Sequence, residues 1–168
     1  YSTGWVIGWY KINCERVIMK KPVEVKLNLP AYSEFVSVAR LTLSGIATRM
    51  HYSIEEIEDI KIAISEACTN IIQHAYTDQD EPGFIEIKCL IDDNQLEIVV
   101  SDSGKGFNVS EPISTKVDGK DTQQFGLGLG LTFIKSMMDD YSIESKIGQG
   151  TVLRMTKFAP QAVPVAND

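Results

Sequence analysis

Cysteine is scarce and badly placed for cross-linking: Cys14, Cys68 and Cys89 are an odd number, far apart, with no Cys-x-x-Cys pair. A disulfide framework or a thiolate zinc site is therefore not expected, and a reducing, cytoplasmic setting is. No run of 18 apolar residues occurs, so no membrane-crossing helix is expected. Positive charge is also short, with 16 Lys and Arg against 23 Asp and Glu and a net charge of −7. A field of that sign works against nucleic-acid phosphates and anionic membranes as direct partners. With 12 glycines, 6 prolines and 8% aromatic residues, collagen-like, disordered and coiled-coil readings drop out. What remains is 168 residues, 43% of them hydrophobic. That is one domain's length, enough to bury roughly 68–70% of its unfolded surface without staples.

The two ends of the chain stand apart from its middle. Residues 1–18 hold a short apolar core, Trp5 to Tyr10, with no cationic start, which is unlike a signal peptide. Met19-Lys20-Lys21-Pro22 follows and reads like a natural beginning, so residues 1–18 are expected to be a non-native or upstream extension. The folded domain is expected over 19–158. The last residues, 159–168, have no periodicity and are expected to form a flexible tail.

Between those ends the hydrophobic pattern predicts the order β-α-α-β-β-(lid)-α-β-β. Val23 to Leu29 alternates as a half-buried strand does. A helix capped by Ser33 is predicted to about Met50, with Phe35, Val36, Ala39, Leu43 and Ile46 on one side. A second helix opens with a capping box, Ser53 to Glu56, and is predicted to about Tyr76 on an Ile57/Ile60/Ile64/Cys68/Ile71/Ala75 stripe. Phe84–Ile91 and Gln95–Val100 form a predicted hairpin across Asp92-Asp93-Asn94. A long Gly/Ser/Thr-rich stretch, 101–130, is longer than an ordinary connection and has the character of a lid. A third helix from about Gly130 to Asp140 and two closing strands, Tyr141–Ile147 and Thr151–Phe158, complete the domain. The expected fold class is α+β: a two-layer sandwich, mostly antiparallel sheet with three helices on one face.

Four clusters within this frame can carry chemistry. Glu66 and Asn70 lie one helical turn apart, turned away from the apolar stripe. They are either a solvated polar face or a carboxylate beside a neutral oxygen ligand, able to orient a nucleophile and to serve Mg²⁺. Asp102-Ser-Gly-Lys-Gly-Phe107 follows a strand: either a turn, or an acceptor for an exocyclic amine with glycines that let backbone approach a flat ring. Gly126-Leu-Gly-Leu-Gly-Leu-Thr132 leads into the third helix, where free amides and the helix dipole suit a phosphate. It is neither a Walker A loop nor a dinucleotide fingerprint. Gly148-Gln-Gly-Thr151 is a tight hairpin or brings a hydroxyl to a bound base. Each cluster alone is ordinary; their order and spacing are not.

The ordered set resembles the GHKL ATP-binding superfamily and, within it, the bacterial anti-sigma-factor serine kinases of the RsbW and SpoIIAB type. The segments that carry the resemblance are ARLTLSGIATRM (39–50), IEDIKIAISEACTNIIQHAY (57–76), DSGKGF (102–107), GLGLTFIKSMMDD (128–140) and VLRMTKF (152–158). The resemblance implies a Bergerat-type fold, a serine/threonine kinase that uses ATP and Mg²⁺, and a homodimer. It implies that the protein sequesters a sigma factor and phosphorylates an anti-anti-sigma (STAS) protein, the two partners competing in a switch. By the same resemblance Glu66 is the catalytic carboxylate and Asn70 the Mg²⁺ ligand. Asp102 recognises the adenine amine beside Gly104 and Gly106, and His74 lies near the pocket. Gly126, Gly128, Gly130 and Thr132 border the phosphates, Thr151 lies near the base, and Arg40 contacts sigma factor.

Two features depart from that pattern. Gln123-Gln124-Phe125 stands where some relatives place an arginine, leaving Lys105, Lys116 or Lys120 as substitutes, and the extended glycine run shifts the lid register by up to two residues. Two alternatives stay open. One is a histidine-kinase-type catalytic domain, which needs a phosphoacceptor histidine where the chain offers only His51 and His74. The other is a non-catalytic ATP-gated adaptor.

Overall fold

A computed structural model describes residues 21–77, 81–108, 115–117, 120–122 and 126–160. The expected extension over 1–18 and most of the expected tail lie outside them. The elements run β1 (Val23–Pro30), α1 (Val36–Arg49), α2 (Ile54–His74), β2 (Phe84–Ile91), β3 (Gln95–Asp102), β4 (Thr115–Val117), β5 (Lys120–Thr122), α3 (Gly126–Met137), β6 (Asp140–Lys146) and β7 (Gly150–Phe158). Five strands pair in the order β1-β2-β3-β7-β6, every neighbour antiparallel, and β4–β5 form a separate short ribbon within the lid stretch. The expected α+β sandwich is what the chain forms.

The pleat sets the layers. Ile85, Ile87, Cys89 and Ile91 of β2 are buried while Phe84, Glu86 and Lys88 between them are exposed. The register carries that inner face across the sheet, pairing Cys89 with Ile98 and Ile98 with Met155. Helix α1 answers with Ala39, Leu43 and Ala47, four residues apart and fully buried; α2 answers with Ile60, Ile64 and Cys68, and α3 with Ile134. The outer face is polar and carries exposed ion pairs such as Lys26–Glu24 and Arg154–Glu97.

Helix boundaries move from the sequence expectation for identifiable reasons. Ser33 does not cap α1: Ser33–Phe35 tightens into a 3₁₀ turn with no side-chain cap, and Ser37 Oγ donates to the Glu34 carbonyl at 2.9 Å. The capping box of α2 forms as expected, with Ser53 Oγ accepting from Glu56 N–H at 3.2 Å and Glu56 Oε2 from Ser53 N–H at 2.7 Å. That helix ends at His74, because Tyr76 turns away to donate its hydroxyl to the Phe84 carbonyl at 2.7 Å. Helix α3 begins at Gly126 rather than near Gly130, so the glycine run is helical rather than a loop before the helix. At the other end of the domain Ala159 is still anchored, its N–H donating to the Asn94 carbonyl at 2.6 Å.

Candidate functional site

A cavity of about 170 Å³ opens between α2, the ends of β3 and β7, the middle of β6 and the start of α3. Its walls are mostly apolar: Ala67 and Ile71 from α2 and Ala75 just past its end, Val100, Ile143 and Leu153 from the sheet, and Leu131 from α3. A few polar groups converge on it, Asn70, His74, Asp102, Lys105 and Thr151, the make-up of a small-molecule site.

One end is built by backbone. Asp102 closes β3, pairs with Thr151 of β7, and takes Gly104 N–H on its carboxylate at 2.8 Å. Burial pushes that carboxyl above the usual carboxylate range; the Gly104 and Thr151 amides pull it part of the way back. A Cβ at Gly104 would collide with the Ala75 carbonyl, so only glycine lets Lys105 N–H reach that carbonyl at 2.9 Å and dock the loop on the end of α2. Gly106 adopts φ 59°, a conformation other residues rarely take, and its surroundings leave no room for a side chain against Lys146. On the far side Gly148 N–H donates to the Lys105 carbonyl at 2.7 Å and Phe107 N–H to Ser145 Oγ at 2.9 Å. Ser145 Oγ in turn lies 2.9 Å from Thr151 Oγ1. The Asp-x-Gly-x-Gly loop is thus bonded to α2 on one side and to the β6–β7 hairpin on the other.

The other end is built by side chains. Glu66 and Asn70 are half-buried on α2, and among the described residues neither side chain bonds or pairs with another protein group. Helix α3 crosses directly over them: a Cβ at Gly130 would stand 2.9 Å from Asn70 Nδ2 and 3.2 Å from Glu66 Oε2. Gly130 lies in the second turn of α3, so its amide belongs to the helix ladder and its contribution is the missing side chain. By helix geometry the first-turn amides, which the ladder does not use, fall around Gly126 and Gly128. His74, one turn past Asn70, is held below its ordinary pKa by burial and then by the Lys105 ammonium, which favours a neutral imidazole. Lys105 Nζ donates to Thr77 Oγ1 at 2.6 Å.

Of the residues singled out in the sequence, Asn70, His74, Asp102, Gly106 and Thr151 line this cavity. Glu66 and Gly130 are outside the lining but adjoin Asn70, and Gly104 donates to the Asp102 carboxylate. Thr132 is exposed and outside the lining, and Arg40 is exposed on α1, beside exposed Leu41, away from the cavity. The apolar lining went unnoticed in the sequence, although Ala67 and Ile71 flank Asn70 on neighbouring faces of the same helix turn.

The donor set suits a hard cation. Among the described residues no group of three or more His, Cys, Asp or Glu could hold a metal by itself. The thiols of Cys68 and Cys89 are buried and pushed up to about 12, so they offer no thiolate. An amide oxygen and a carboxylate one turn apart fit Mg²⁺, which keeps waters and substrate phosphates as most of its shell.

A backbone-built acceptor at one end and a glycine-covered carboxylate–amide pair at the other stand in a chain of the histidine kinase-like ATPase domain class. The family model of that description matches residues 29–157. The serine-protein kinase RsbW of Halalkalibacterium halodurans is 42% identical over 144 residues, covering 82% of this chain and 85% of the relative. The serine-protein kinase RsbW of Bacillus mycoides is 40% identical over 156 residues, covering 90% and 94%. The chain belongs to the RsbW family of serine-protein kinases. The crystal structure of the RsbU and RsbW domains of a Mycobacterium tuberculosis protein shares the fold, with a TM-score of 0.56 at 20% identity, covering 81% of this chain and 32% of that one.

Proposed function

We propose that this kinase is an anti-sigma factor: it holds a sigma factor and transfers the γ-phosphoryl of Mg²⁺-ATP to a serine or threonine of an anti-anti-sigma STAS protein. The observation that carries the reading is the meeting of Glu66 and Gly130 at Asn70, which lines the same cavity as Asp102. Phosphoryl transfer needs positioning and charge neutralisation more than covalent help. Asp102 accepts the exocyclic amine of the adenine, and Thr151 stands beside it. Asn70 offers its amide oxygen to Mg²⁺, which when bound neutralises phosphate charge. The first-turn amides of α3, around Gly126 and Gly128, donate to phosphate oxygens. Glu66 orients the incoming hydroxyl and accepts its proton. Lys105 is the one cation lining the cavity among the described residues, and it eases a polyanion into a protein of net charge −7. Arg40, exposed on α1 between Val38 and Leu41, is assigned to the sigma-binding face.

The test is incubation with γ-labelled ATP and a STAS-domain substrate. Label on a serine or threonine of that substrate is expected. Label on a histidine would replace this reading by the histidine-kinase alternative. ATP-dependent partner capture without transfer would leave an adaptor.

A further inference from the structure

Lys157 is the only buried charged side chain among the described residues. It stands on β7 two residues after Met155, at an inner-face position where the alternation calls for an apolar residue. An ammonium in that layer is costly unless it is paired and hydrogen-bonded. Its Nζ donates to the carbonyl of Met137, the last residue of α3, at 2.6 Å, and lies 3.3 Å from Asp59 Oδ2 on α2. A cation on the terminal carbonyl of a helix also meets the negative end of the helix dipole. The neighbouring groups tighten the same junction. Asp139 N–H donates to the Thr156 carbonyl at 2.9 Å, Phe158 N–H to Asp139 Oδ2 at 2.6 Å, and the Tyr52 hydroxyl to the Lys157 carbonyl at 2.7 Å.

From Met137 back to Gly130 is seven residues, about 10 Å along the helix axis. At that point α3 lies over Asn70 and Glu66 with no space for a methyl group while those side chains stay in place. The geometry points to Lys157 as a positioning residue: by joining the end of α3 to Asp59 of α2, it sets the height and tilt at which Gly130 covers the Glu66–Asn70 pair. The clamp acts through α3 and touches no nucleotide. Its consequence for Mg²⁺-ATP rests on the function proposed above.

The test combines amide hydrogen exchange of the nucleotide-free full chain with nucleotide titrations of Lys157→Met, which keeps the apolar stem and removes the ammonium. Exchange in 131–138 is expected to accelerate at least tenfold while β2 and β3 stay within twofold. ATP affinity in Mg²⁺ is expected to fall about tenfold, with adenosine affinity unchanged. Asp59→Asn, which leaves the Met137 bond, is expected to give a smaller change of the same pattern, and it decides the matter if Lys157→Met does not fold. Unchanged exchange in α3, or equal acceleration throughout sheet and helix, would overturn the clamp. A wild-type chain that binds no ATP would overturn the functional reading alone, the exchange pattern still deciding the clamp.

Discussion

The two ends of the cleft are built on opposite plans. Around Asp102, backbone amides and carbonyls answer one another across α2, the glycine loop and the β6–β7 hairpin, so the acceptor is held before any ligand arrives. Around Glu66 and Asn70, two polar side chains lie under a helix and find no partner among the described residues. The first plan suits a rigid, uncharged ring, which gains most from a preformed site. The second suits a group that brings its own ligands, a hydrated cation with phosphates, which needs oxygen atoms left free. Substitutions at the two ends should therefore fail in different ways.

The largest effect is expected at the side-chain end. Glu66→Gln keeps the shape and removes the proton acceptor, so ATP affinity should stay near wild type. Phosphoryl transfer should drop by about 10²–10⁴-fold, the usual contribution of a general base. Single-turnover transfer measured beside equilibrium binding separates the two. A variant that transfers at the normal rate would take Glu66 out of the mechanism.

At the backbone end, Asp102→Asn should weaken adenosine and ATP alike. Loss of one charge-assisted hydrogen bond, about 1.5–3 kcal/mol, corresponds to roughly 10–160-fold. The same substitution should leave the nucleotide-free protein at least as stable at pH 7. The sign follows from burial, which raises the Asp102 pKa in the fold. Its protonated form therefore contributes stability that is complete below the unfolded value of 3.8 and lost as pH rises through the raised folded value. An asparagine cannot ionise, so this part of the pH dependence should vanish. Thermal melts from pH 3.5 to 7.5, without nucleotide, measure it. A lower Tm at pH 7 would mean that the carboxylate contributes more through its two amide bonds than burial costs it.

The two plans were unequally legible from the chain. The α2 capping box, the alternation of β2 and the polar pair on α2 are local, so spacing alone exposed them. Asp102 and Thr151 are distant in sequence, and it is the β3–β7 register that makes them neighbours. The start of α3 was not legible. Glycine is a poor helix former, and three glycines in five residues read as a loop until α2 is seen to need a bare backbone against it. Lys157 left a faint trace, a lysine on the apolar side of an alternating strand. Its partners, Asp59 and the Met137 carbonyl, belong to elements that only the fold brings there.

Gly130 joins the two ends of this contrast, and Gly130→Ala should give the smallest net change. In a helix, alanine in place of glycine gains about 0.5–1 kcal/mol. The new methyl would stand 2.9 Å from Asn70 Nδ2 and 3.2 Å from Glu66 Oε2, too close for both to stay in place. Those atoms end flexible side chains that hold no other bond among the described residues, so they can swing aside at little cost to the fold. Stability should therefore stay within about 1 kcal/mol of wild type. Adenosine binding should be unchanged, because the Asp102 end lies outside the methyl's reach. The Mg²⁺-dependent part of ATP affinity should fall several-fold, because the methyl displaces the Asn70 amide, whose oxygen is the one assigned to the cation. Titrations of adenosine and of ATP with and without Mg²⁺ read these terms separately. Equal loss with both ligands would show that the two ends are mechanically coupled through α3, and the division drawn between them would fail.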